Sequence, residues 1–214
     1  MPSETFQKLK AAIRLARKIT IRVDANNLTT PLDEIKVRSY IILSHAAIEE
    51  YLETISENAA KNAVAQLRDN NIVSHALLAL VGHYKSRFPK LFVTPPPLYD
   101  LRAELLLLAE ECFEKHEDAI EKNHGISISS VNGLMFPIGV DADRLSAGMG
   151  GALQAFSGKR GKVAHNMGMQ TLETKSSIDS DLRGILTGLK SIDQFISTNC
   201  PKAIQFQAEV LRAS

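Results

Sequence analysis

Tryptophan is absent from the 214 residues, and all aromatics together reach only 6%. Leu, Ile, Val and Ala must therefore build the interior, a balance that favours helices over sheets. Cysteine is nearly absent too. Cys112 and Cys200 are too few and too far apart for a disulfide framework or a thiolate metal site, so two reduced thiols of a cytosolic protein are expected. No apolar run reaches membrane-spanning length, and MPSETFQKLK lacks the apolar centre of a signal peptide; the expectation is a soluble, cytoplasmic protein with no membrane contact. An excess of charge is missing as well. A net charge of +1 argues against a broad basic face for long duplexes, leaving KRGK at 159–162 as the densest basic patch.

What is present is a hydrophobic fraction of 44% against 23% charged residues, the balance of a folded chain rather than a disordered one. This length can bury a full core, and a single domain over 1–214 with its core at about 31–198 is expected. Phe6, Leu9, Ile13, Leu15 and Ala16 predict a helix over 4–19. After the polar break DANNLTT (24–30), Thr30 as N-cap and Pro31 at the first position open a long helix. Ile41, His45, Ile48, Leu52 and Ile55 carry it to about Leu67. A core helix follows over 72–88, then a proline-rich loop at 88–100 that no helix crosses. A helix over 98–122 and short elements punctuated by Pro137 and Gly139 come next. One helix starts near Asp141, and a last one carries Ile178, Leu182, Ile185, Leu189, Ile192 and Ile196 on one stripe. No segment alternates with a period of two, so the fold class is all-α.

Several motifs fail on inspection. GMGGAL lacks the strand–turn–helix setting of a dinucleotide loop, and SGKRGKVA lacks both the leading glycine and the hydroxyl residue of a phosphate loop. EKHEDAI has no second histidine at helical spacing. His45 and Glu49, one turn apart, offer a metal only two ligands and read instead as a core histidine beside a surface carboxylate.

RGKVAH at 160–165 survives. On an uninterrupted helix Arg160 and His165 lie roughly 140° apart around the axis. Gly158 and Gly161 permit a break that would let them converge. A two-fold partner could instead bring two such motifs to one cleft. The plain alternative is a solvated arginine and histidine on a surface turn.

This motif, together with RSYIILSHAAIEEYLETI (38–55) and NGLMFPIGVDADRLSAGMGGALQAFSGKRGKVAHN (132–166), resembles the HEPN superfamily, and within it the RiboL-PSP-HEPN group. The resemblance implies a HEPN-like helical bundle with extra helices, acting as a metal-independent endoribonuclease that uses no cofactor. It also implies RNA as partner, a homodimer with a composite active site, and a toxin or antiphage-defence setting in a prokaryote with an inhibitor or trigger protein. In that reading His165 is general acid or base, and Arg160 clamps the phosphate and stabilises the transition state. Glu49 pins Arg160, Lys159 and Lys162 attract the RNA backbone, and Asn166 orients the substrate or caps a helix. The chemistry suits the residue types: imidazole titrates near neutral pH, guanidinium matches phosphate oxygens, and the RNA 2′-hydroxyl is an internal nucleophile. Gly161 stands where many active HEPN nucleases carry a polar residue, which keeps open an inactive module that binds RNA, nucleotide or protein. A third reading is an all-α scaffold or regulatory subunit.

Overall fold

Local chemistry starts five of the helices at a hydroxyl residue. Ser3 accepts a hydrogen bond from Phe6 N and opens α1 (Glu4–Lys18). Thr30 and Asp33 form a reciprocal capping box at the head of α2 (Pro31–Asn70), and Asn71, with φ of 57°, closes it. Ser74 caps α3 (His75–Tyr84), and α4 covers Leu101–Glu121. Ser127 caps α5 (Ile128–Met135), which runs into a 3-10 turn at Phe136–Ile138. The last two helices are α6 (Ala147–His165) and α7 (Lys175–Asn199), the latter capped by Thr174.

The computed structural model describes residues 2–85, 101–141, 147–165 and 173–204, with the side chains of 101, 147, 148, 164 and 165 outside that set. Among the described residues the chain is all-α: seven α-helices and the 3-10 turn, with no strand. The expected proline-rich loop at 88–100 lies outside the described residues, as does the expected helix start near Asp141.

The 40-residue α2 is the central rod. It packs against all six other helices, and its buried residues from Val37 to Leu67 recur every three or four positions as one stripe running the length of the rod. Phe6 meets Tyr51 edge-on at 5.8 Å, while Arg17 and Tyr40 share Asp179, so α1 runs antiparallel to α2. The buried Asp193 carboxylate fixes the start of α1, accepting from Ser3 N at 2.7 Å, from Ser3 Oγ, and from Tyr51 OH at 3.2 Å. Leu15, expected near the buried face of α1, is exposed.

Ile178, Leu182, Ile185, Leu189 and Ile192 of α7 are buried as their spacing predicts. Gly188 brings α7 against Met149 of α6, so closely that a Cβ would overlap the methionine. Gly139, at φ 84°, turns the chain beneath α3, where any side chain would strike the His75 ring.

Candidate active site

Three helices converge at the C-terminal end of α6. Arg160 is exposed on its last turns. His45 and Glu49 face it from α2, close enough that the guanidinium charge disfavours a proton on either. The turn after α4 closes the other side, where Asn123 Nδ2 donates to Glu53 Oε1 at 2.8 Å and His124 acts on Glu49 by charge.

Glu49 is half-buried and its carboxyl lies above the usual range. Burial is the main cause and neighbouring Glu53 adds to it, with Arg160 and His124 opposing. His45 is buried, and burial first, then Arg160, pushes its pKa down to about 4. Its Nδ1 lies 3.6 Å from Glu49 Oε2. A neutral imidazole at that distance packs against the carboxylate rather than pairing with it, the arrangement of a core histidine beside a surface acid. No cluster of three or more His, Cys, Asp or Glu is placed to hold a metal among the described residues.

The glycines of the motif do not break the chain. Helix α6 continues through Gly158 and Gly161 to His165, because nothing crowds either glycine and the surrounding residues carry the hydrogen-bond ladder past them at about 1 kcal/mol each. Positions 160 and 165 therefore lie about 140° apart around one continuous helix, and the convergence through a turn that the glycines permit does not occur. The His165 side chain and all of Asn166 lie outside the described residues.

The two lysines of KRGK have different surroundings. Lys162 is exposed. Lys159 points the other way, its ammonium 2.6 Å from Glu173 Oε2, 2.7 Å from Asp181 Oδ2 and 2.8 Å from Ser177 Oγ. Burial works against its charge, and the bonds to Asp181 and Glu173 outweigh that and raise its pKa. His124 lies in the Asn-His-Gly turn after α4, a local signal whose bearing on the site depends on Glu49 and Glu53, far away in sequence.

On α2, Ile42, Ala46 and Glu49 recur at helical spacing and share a face. Ile42 and Leu43 are exposed there, and Leu15 of α1 and Ile19 just after it join Leu43, Ala46 and Ala47 around a groove of about 710 Å³. Glu50 and Lys18 stand at the edge of this groove, and Ile42 lies on the same face of α2 as Glu49.

An all-α bundle built on one long central helix is consistent with a HEPN-like fold. The RiboL-PSP-HEPN family model matches residues 7–198, nearly the whole chain, and the chain belongs to that family. Comparison with curated proteins and with solved structures finds no match. Membership supports an RNA-related or nuclease role. No helix among the described residues is long and apolar enough to cross a membrane.

Proposed function

We propose that this protein is a metal-independent endoribonuclease working as a two-fold dimer. The observation that carries the reading is the placement of Arg160, exposed at the end of α6 and near enough to Glu49 of α2 for its charge to act on that carboxyl, in a chain of the RiboL-PSP-HEPN family. Its fork neutralises the phosphorane while imidazoles move the protons. One His165 takes the proton of the 2′-hydroxyl, whose oxygen forms the new bond to phosphorus. The partner copy's equivalent gives a proton to the departing 5′-oxygen as its bond to phosphorus breaks. The products are a 2′,3′-cyclic phosphate and a free 5′-hydroxyl. Because positions 160 and 165 diverge on one helix, a second copy supplies what a single motif lacks. The apolar surface of Ile42, Leu43, Leu15 and Ile19 beside Glu49 is our candidate for the two-fold contact.

Purified protein incubated with labelled RNA in EDTA is expected to release fragments ending in cyclic phosphate. The His165→Ala variant is expected to lose roughly two or more orders of magnitude in rate. Intact RNA with wild-type protein, or unchanged turnover in the variant, refutes the assignment. Retention of RNA without cleavage marks the binding module, the reading that Gly161 favours. An unrestrained ribonuclease harms its own host, so we place the activity in toxin or antiphage defence under an inhibitor or trigger.

A further inference from the structure

Residues 5–23 hold six cations, Lys8, Lys10, Arg14, Arg17, Lys18 and Arg22, and no carboxylate. Near neutrality of the whole chain conceals this concentration. On the folded protein Arg14, Arg17, Lys18 and Ile21 of α1 and the turn after it meet Lys175, the first residue of α7, around a pocket of about 340 Å³. Arg183, two turns further along α7, donates Nε to Asp179 O.

Ordinarily carboxylates answer such a cluster, but those nearby are committed. Asp179 accepts from both Arg17 Nε at 3.1 Å and Nη2 at 2.8 Å, and from Tyr40 OH at 2.9 Å. Glu173 and Asp181 hold Lys159. Asp24 caps the amides of Asn26 and Asn27, each at 2.8 Å. Among the described residues, therefore, no carboxylate pairs with Arg14, Lys18 or Lys175 at the pocket. Helix dipoles account for only part of this. Arg17 and Lys18 complement the C-terminal end of α1, whereas Lys175 sits on the positive end of a 25-residue helix, where a cation is disfavoured. Like charges gathered at a helix N-terminus cost free energy that an anionic ligand recovers.

We propose that this pocket holds the phosphates of an RNA strand, as an anchoring site that shares no residue with the Glu49–Arg160 site. The identity of the strand rests on the ribonuclease reading; the anionic character of the ligand does not. Lysine and arginine present point charges and forks for phosphate oxygens, while the exposed Ile21 and the methylene stems offer apolar surface to ribose and base.

The test is the salt dependence of binding to a labelled single-stranded RNA 20-mer, read by anisotropy in a His165→Ala background. Each phosphate contact contributes about 0.7 to the slope of log affinity against log salt, so Arg14→Gln/Lys175→Gln is expected to flatten it by about 1.4. Cleavage of a dinucleotide, too short to bridge the two sites, is expected to be the same with and without that pair of substitutions when His165 is intact. An unchanged slope overturns the proposal. So does an unchanged slope accompanied by inorganic phosphate raising the melting temperature of the parent but not of the variant, which would assign the pocket to a small phosphate compound. If the double variant does not fold by circular dichroism, Arg14→Gln/Lys18→Gln repeats the measurement. Should wild type cleave nothing, the ribonuclease reading fails, and the slope still decides the pocket.

Discussion

Lys159 and Asp181 form an ion pair of 2.7 Å that ties the last turns of α6 to the first turns of α7. With Glu173 and Ser177 on the same ammonium, the lysine orients α6, and Arg160, about 100° further round the helix, is thereby turned toward α2. Lys159→Met leaves two carboxylates facing one another in a largely buried site. Thermal melts are expected to show a loss of about 2 kcal/mol, below the full cost of breaking a buried pair because the acids are partly solvated. That corresponds to a melting temperature lower by about 4–8 °C.

Glu49 should behave in the opposite way. Its folded-state pKa is raised, so the protonated form is the one folding favours, and ionisation at neutral pH costs stability rather than adding it. Glu49→Gln is expected to keep or slightly raise the melting temperature at pH 7. Cleavage is expected to fall by roughly tenfold, the effect of about 1.4 kcal/mol of lost transition-state stabilisation, as Arg160 loses its counter-charge. Steady-state cleavage and melting measured on one preparation check both halves. A variant that melts early and cleaves normally contradicts the role.

Acid sensitivity is expected from His116. Ser56 Oγ donates to Leu134 O at 2.5 Å, so it accepts from His116 Nε2 at 2.8 Å, leaving Nδ1 to accept from Tyr84 OH at 3.0 Å. The neutral ring is satisfied on both sides. Burial, with a smaller contribution from His83, pushes its pKa down to about 4. The unfolded histidine titrates near 6.5, so the unfolded chain binds more protons between the two values. Stability is thus fully present above about pH 6.5 and is lost as pH falls toward 4, by about 3 kcal/mol from this group. His45, also near 4, acts with the same sign. Denaturant titrations at pH 7 and pH 5 are expected to show the loss, and His116→Gln, with an amide in place of the ring, to show a smaller one.

Two glycines of α7 distinguish packing from propensity. A Cβ at Gly188 overlaps Met149 down to its own Cβ, whereas at Gly184 it only reaches ordinary contact with Ala152. Gly184→Ala is expected to stabilise by about 0.5–1 kcal/mol through helix propensity. Gly188→Ala is expected to destabilise by about 1–3 kcal/mol as α6 and α7 are forced apart. Denaturation midpoints of the two variants should move in opposite directions.

Much of the fold could be read from local signals. Thr30-Pro31 marks the head of α2, and the apolar stripe of α7 gives both its extent and its buried face, because caps and periodicity act within a few residues. The site was legible only in part. The Arg160 motif is local, but Glu49 came from resemblance, since nothing near it in sequence shows that α6 will face it. Lys159 reads as one of a basic run until distant Glu173 and Asp181 enclose it. The break that Gly158 and Gly161 permit did not form, because isolated glycines cost a helix only about 1 kcal/mol each. The basic pocket on α1 went unnoticed because net charge averages over the chain and says nothing about where the acids are already engaged.

The central rod also has a bearing on handling the protein. A single apolar stripe runs the length of α2, and Ile35, Ile42 and Leu43 lie outside even in the finished fold. A molecule that has shed its neighbouring helices therefore presents a long adhesive edge, and dilution will compete with clumping whenever the chain is refolded from denaturant.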